Sequence, residues 1–156
     1  MERGALDEAS RYLLDALRLD PQLPDAHFNL GLIAEARGAS SEAVRRYGDA
    51  LRSRPDWGRA LVAQAWILAT TSDSRLSDPR QAVALAERAA IPASQADRRT
   101  MDVLAAAYAS DQQFDRAVDA IQHAINSSGA TPTTEELLVR QDLYRRHLPY
   151  REPTGR

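Results

Sequence analysis

The sequence predicts an all-α chain built from repeated helical hairpins, and two observations lead there. Apolar residues make up 44% of the 156 residues but aromatics only 6%. A core must then be assembled from Ala, Leu, Val and Ile, which suits close-packed helices better than a β-sandwich. Second, small residues recur at helical spacing in segments that superimpose. "SEAVRRYGDAL" (Ser41 to Leu51), "RQAVALAERAA" (Arg80 to Ala90) and "DRAVDAIQHAI" (Asp115 to Ile125) each hold an Ala-Val pair and a further Ala seven residues after the first. Self-similarity of this kind is the mark of a repeat architecture.

The elements follow in order. "DEASRYLLDAL" (Asp7 to Leu17) keeps the seven-residue Ala spacing, Ala9 to Ala16, and opens the chain as a second-helix half unit over residues 3–21. "HFNLGLIAEARG" (His27 to Gly38) reads as a first helix and pairs with Ser41 to Leu51, giving a hairpin over residues 22–55 that ends at Pro55. "LVAQAWILATTS" (Leu61 to Ser72) and Arg80 to Ala90 form the next unit, residues 56–92. That unit is longer by about five residues than a 34-residue repeat, and the surplus falls in "TTSDSRLSDP" (Thr70 to Pro79). Ser77 or Asp78 can cap the helix that follows, with Pro79 in its first turn. "MDVLAAAYASDQ" (Met101 to Gln112) and Asp115 to Ile125 complete a third unit over residues 93–128. "TPTTEELLVRQDLYRRHLPYRE" (Thr131 to Glu152) supplies one more helix, residues 133–147. Thr133 and Glu136 match a capping box, and Leu137, Leu138, Gln141 and Tyr144 fall on one stripe that closes the last apolar face. Pro149 stops this helix, and residues 148–156 are expected to be a flexible tail.

In this frame the chain resembles the tetratricopeptide repeat family, whose unit is a helix-turn-helix with Trp-x-x-Leu-Gly-x-x-Tyr in helix A, Ala, Phe and Ala in helix B, and a closing Pro. The helix-A quartets are His27, Leu30, Gly31, Ala34; Leu61, Gln64, Ala65, Leu68; and Met101, Leu104, Ala105, Tyr108. The helix-B triplets are Ala9, Leu13, Ala16; Ala43, Tyr47, Ala50; Ala82, Ala86, Ala89; and Ala117, Ile121, Ala124. Every position where the family needs a small residue is Gly or Ala, which lets two helix axes approach at the short end of 8–10 Å. Gln64 departs from the pattern, a polar residue where the family buries an apolar one. The resemblance covers about residues 3–127 and implies a right-handed α-solenoid of such hairpins with a C-terminal capping helix, one domain over residues 3–147.

No catalytic pattern accompanies this. The chain has no phosphate-binding Gly loop, no zinc-protease His pair and no Ser elbow. There is no cysteine, so disulfide and thiolate-metal frameworks are excluded. No cofactor or metal is expected. A net charge of −2 and few aromatics argue against a nucleic-acid partner. No apolar run has the length of a membrane span and no leader pattern precedes the helices, so a soluble chain of cytoplasm or periplasm is expected. Of three histidines, His27 stands at a core position, His123 on an outer helix face and His147 at a helix C-terminus.

The resemblance implies that first helices line the inner wall of the array and bind a protein or peptide. Phe28, Asn29 and Leu32 of the first unit, Arg59, Val62 and Trp66 of the second, and Arg99 and Asp102 of the third occupy those positions. Asn29 stands where many family members use Asn to grip a ligand backbone. Phe28, Leu32, Val62 and Trp66 make an apolar strip flanked by arginines, suited to apolar anchors and an acidic group of a peptide. For Phe28 and Trp66, packing between neighbouring helices is an equal alternative. The opening helix has no first helix before it, so Leu6, Leu13 and Leu17 need another cover. Either this is the later piece of a longer array, such as the regulatory arm of an enzyme or membrane protein, or a second copy closes the face as a homodimer.

Overall fold

A computed structural model describes residues 2–91, 97–127 and 132–153. The expected boundary at residues 92/93, the end of the third repeat at 128 and the last three tail residues lie outside the described residues. Among the described residues there are eight α-helices and no strand. They run α1 (Glu2–Leu19), α2 (Pro24–Ala36), α3 (Ser40–Ser53), α4 (Gly58–Thr70), α5 (Pro79–Ala89), α6 (Arg98–Ser110), α7 (Phe114–Asn126) and α8 (Thr134–Arg145). The fold class is all-α, of the helical-hairpin repeat kind, and the chain divides into two compact units, Met1–Ala60 and Leu61–Arg156.

In the first unit α2 and α3 form the hairpin and α1 packs on α2. Pro24 starts α2, where its missing N–H costs nothing because that group has no helical partner anyway. The helix closes at Gly38, which takes φ +71° so that its own amide reaches the Glu35 carbonyl (2.8 Å) and the next amide reaches Ala34 (2.8 Å). That left-handed turn is where glycine is favoured, and it reverses the chain into α3. Ala43, Tyr47 and Ala50 of α3 are fully buried against α2. The same stripe on α1 is uncovered: Ala9 is exposed, and Leu6, Leu13 and Leu17 are half-buried.

In the second unit α4 ends at Thr70 and the surplus residues form a loop tied back to it. The Asp78 amide and the Ser77 hydroxyl both donate to the Leu68 carbonyl, at 3.3 and 3.4 Å. Asp78, not Ser77, caps α5 by accepting from the Gln81 amide at 3.0 Å. The α6–α7 turn copies the first hairpin with Gln112 in place of glycine, at φ 62°. Gln64 is buried on α4. Ala65, Ala82, Ala105, Ala117 and Ala124 have no exposed surface, so the small positions serve as close-approach points. Ala89 is only half-buried, with Ala86 and Ala90 taking the inner face.

The capping helix α8 packs on α7. Its capping box is complete: the Thr133 hydroxyl accepts from the Glu136 amide (3.3 Å), and the Glu136 carboxylate accepts from the Thr133 amide (2.6 Å). That backbone bond holds the Glu136 carboxyl below its ordinary value. The buried stripe is Leu137, Arg140, Gln141 and Tyr144, while Leu138 is 50% exposed. The expected stripe is thus corrected by one position. The i, i+3, i+4, i+7 spacing selects residue 140 over 138, and an ion pair described below makes burial of an arginine tolerable. The helix ends at Arg145, and the chain turns at His147, with φ 57°, two residues before Pro149. Beyond it the Leu148 amide bonds back to the Leu143 carbonyl of α8 at 2.9 Å, and Tyr150 to Glu152 lie against α4.

Candidate protein-interaction site

The expected inner-wall residues divide between the two units. In the first, Phe28 is buried and is not part of an open strip. Its ring packs on Tyr47 (5.4 Å between centroids) and Trp57 (4.7 Å), and the Arg59 guanidinium lies 4.9 Å above it. Trp57, outside any repeat motif, is itself covered by Arg54 at 4.3 Å. Asn29 and Arg59 are exposed, and Leu32 is 40% exposed. His27 is buried, with Nε2 2.9 Å from the Pro21 carbonyl and Nδ1 3.7 Å from the Asp49 carboxylate.

The second unit brings together more. Trp66 projects from α4 and is 95% buried, at 5% residual exposure. Three groups from three further elements converge on its ring: Arg99 of α6 at 4.4 Å, Arg140 of α8 at 5.0 Å, and Tyr150 of the C-terminal segment at 5.8 Å. Arg140 lies also 4.8 Å over the Tyr150 ring. Guanidinium groups are weakly hydrated and planar, so they can be desolvated between aromatic faces where an ammonium would resist. The Trp66 indole N–H donates to the Glu152 carboxylate at 3.1 Å. Val62, one turn earlier on α4, is half-buried.

Asp102 is the charge that anchors this cluster. Its carboxylate has no exposure, accepts from Arg140 Nη1 at 2.7 Å, and stands 3.6 Å from Arg99 Nη1. It was expected to face a ligand and instead belongs to a buried ion pair. The reason is register: residue 102 sits one turn below the wall residue Arg98–Arg99 edge and meets α8, an element whose arginine the repeat frame does not place. Burial pushes the Asp102 carboxyl up, while Arg140 and Arg99 pull it back. Burial works against the charge of Arg140, and Asp102 holds it in place. Tyr144, packed beside the pair, has its hydroxyl proton held far more tightly than usual by burial and by the Asp102 charge.

A family model described as TPR repeat matches residues 1–38. No curated protein matches the chain. Among solved structures, the chain is similar in fold to the "MamA RS-1 ArsTM double mutant", with TM-score 0.68 and 22% identity over 94% of this chain and 83% of that one. It is equally similar to "MamA 41-end from Desulfovibrio magneticus RS-1", with TM-score 0.68 and 24% identity over 94% of this chain and 81% of that one.

The match to the tetratricopeptide-repeat model covers the first 38 residues, and the solved structures share the helical-repeat fold.

By position α2, α4 and α6 coincide with the expected helix-A segments and α3, α5 and α7 with the helix-B segments, and α2 packs on α3 and α6 on α7. The capping helix and the segment after it contribute Arg140, Tyr150 and Glu152 to a helix-A surface, a contribution no repeat frame contains. Tyr150 was nonetheless detectable: an aromatic ring in a segment otherwise read as solvated tail seeks an apolar surface. Arg98 also escaped notice. It is buried at the start of α6 and donates to the Ser127 carbonyl (2.6 Å), the Pro132 carbonyl (3.3 Å) and the Thr134 hydroxyl (3.1 Å), joining three elements. Among the described residues no helix is long and apolar enough to cross a membrane, and no group of three His, Asp or Glu residues could hold a metal ion.

Proposed function

We propose that the protein is a non-catalytic recognition scaffold that binds an extended segment of another protein on the helix-A surface of its second unit, through Trp66, Arg99 and Arg140. One observation carries the reading. Residues Tyr150 to Glu152 already lie on this surface as an extended chain, bonded both to side chains and to free carbonyls at the end of α4. A surface that holds one extended segment has the chemistry to hold another. Arg99 is the accessible cation, with 40% of its side chain exposed. Asn29 and Leu32 are exposed on α2 of the first unit and take no part in this site.

Arg99→Gln removes this cation but leaves Arg140 paired with Asp102. Affinity purification from cells of the source organism, wild type beside Arg99→Gln, is expected to yield a protein that wild type retains and the variant loses at least tenfold. Equal recovery of every captured protein by both forms, with helicity unchanged, rejects the site.

A second reading, self-association through α1, is favoured by the exposure on that helix. Tyr12 is 68%, Leu14 41% and Leu19 90% exposed, beside the half-buried Leu6, Leu13 and Leu17. Solvent-facing aliphatic and aromatic groups on one helix are the usual material of an interface. Leu13→Glu is then expected to convert a dimer to a monomer in sedimentation; a wild type that stays monomeric at every concentration excludes it.

A further inference from the structure

The recognition surface is occupied by its own chain. After the turn at His147, Tyr150 to Glu152 reach the C-terminal end of α4. The Glu152 amide donates to the Thr70 carbonyl at 2.9 Å, and the Arg151 guanidinium donates to the Ala69 carbonyl at 2.5 Å. These are the orphan acceptors of a helix end, and they attract an amide or a cation without regard to sequence. Discrimination comes from two side chains. The Tyr150 ring lies against both Trp66 and Arg140, and the Glu152 carboxylate accepts from the Trp66 indole. The footprint is an aromatic residue followed two positions later by a carboxylate, on an extended backbone.

We propose that residues Tyr150 to Glu152 are a tethered competitor for this surface, and that the partner is an extended segment carrying the same pair, an aromatic residue and then, two positions on, an acidic one. The inference rests on the reading of this face as a recognition site and adds its regulation and its ligand class. The contact is small. Arg151 and Glu152 remain exposed even when docked, so its affinity as a free peptide is weak. Tethering compensates, since a short linker supplies an effective concentration on the order of millimolar. A segment with a free-peptide Kd of about 0.1 mM would then keep the surface closed about 90% of the time and weaken a competing ligand about tenfold. A partner that bears the pair on a larger interface overcomes that margin, whereas chance acidic peptides do not. Opening also uncovers the Trp66 ring.

The test uses the full chain and a labelled heptapeptide copying residues 147–153 (HLPYREP). The protein variants are Tyr150→Ala together with Glu152→Ala, and Glu152→Gln alone. Fluorescence anisotropy is expected to show the peptide binding the double variant about tenfold more tightly than wild type, with Glu152→Gln between them. A control peptide with alanine at both recognition positions is expected to lose that gain. Circular dichroism checks that each variant keeps its helices. In a Trp57→Phe background, Trp66 emission shifts to the red on release of the segment and returns when the peptide binds. Equal affinity of wild type and double variant overturns the proposal, as does a helical double variant that binds neither peptide. A wild type that dimerises while the double variant does not would make a second copy the occupant and also overturns it. These outcomes are separate from capture of a partner through Arg99, because the peptide assay needs no natural partner.

Discussion

Gly31→Ala destabilises the first unit, although alanine is the better helix former. Gly31 is interior to α2, where the exchange alone would stabilise by about 1 kcal/mol. Packing opposes it. A Cβ on residue 31 would stand 2.4 Å from Cε1 of Tyr47, 2.7 Å from Cδ1 and 2.9 Å from Cζ. The ring cannot step aside. Tyr47 has no exposed surface, its hydroxyl is hydrogen-bonded to Glu35, and Phe28 backs it at 5.4 Å. Overpacking of this kind costs about 1–3 kcal/mol, and more for a longer side chain. Urea unfolding is expected to show a net loss for Gly31→Ala and a loss above about 3 kcal/mol for Gly31→Leu. Tyr47→Leu should lower that second penalty, since it removes the ring that the new side chain strikes. Non-additivity of at least about 1 kcal/mol in the double-mutant cycle is the signature of direct contact. If Gly31→Ala raises stability, α2 and α3 are not this close.

Asp102→Ala is the largest single loss expected in the second unit. It leaves the Arg140 guanidinium, 8% exposed in its side chain, without its 2.7 Å carboxylate partner. Breaking a buried pair from one side costs about 3–5 kcal/mol, because the remaining charge stays desolvated. Replacing both partners by apolar residues, Asp102→Leu with Arg140→Met, is expected to restore most of the stability for the same reason. The two forms should differ at the C-terminal segment. Arg140 lies over both Trp66 and Tyr150, so the double replacement keeps the helices but loosens the segment, which Trp66 emission reports in a Trp57→Phe background. Thermal unfolding in which Asp102→Ala matches wild type would mean that the pair carries no stability.

The hairpins were legible in the sequence because their cause is local and periodic. Gly31, Ala43, Ala50, Ala65, Ala82, Ala105, Ala117 and Ala124 are small where helices must approach, and each is buried. The capping box at Thr133 and the cap at Asp78 were legible for the same reason, since residues three apart make the whole interaction. The inner-wall assignment succeeded less well. It rested on each residue's position along its own helix, and it offered Phe28 and Trp66 either as groove or as packing. Both are packed. For Trp66 the covering groups come from residues 99, 140 and 150, so nothing adjacent to it in the chain announced the outcome.

By itself, then, the sequence determined the helices, the α2–α3 and α6–α7 hairpins, the site of the inserted loop and the caps at Asp78 and Thr133. These depend on spacings of three, four and seven residues, which a linear string displays. Tertiary structure alone decided that Asp102 is an internal ion-pair partner instead of a ligand contact, that Arg140 is buried on the cap while Leu138 is exposed, and that Tyr150 to Glu152 dock on α4. Each of those outcomes is set by desolvation balanced against a partner 38 to 86 positions away. No periodicity records such a partner, because the energy of a buried charge or ring belongs to the pair and not to either residue.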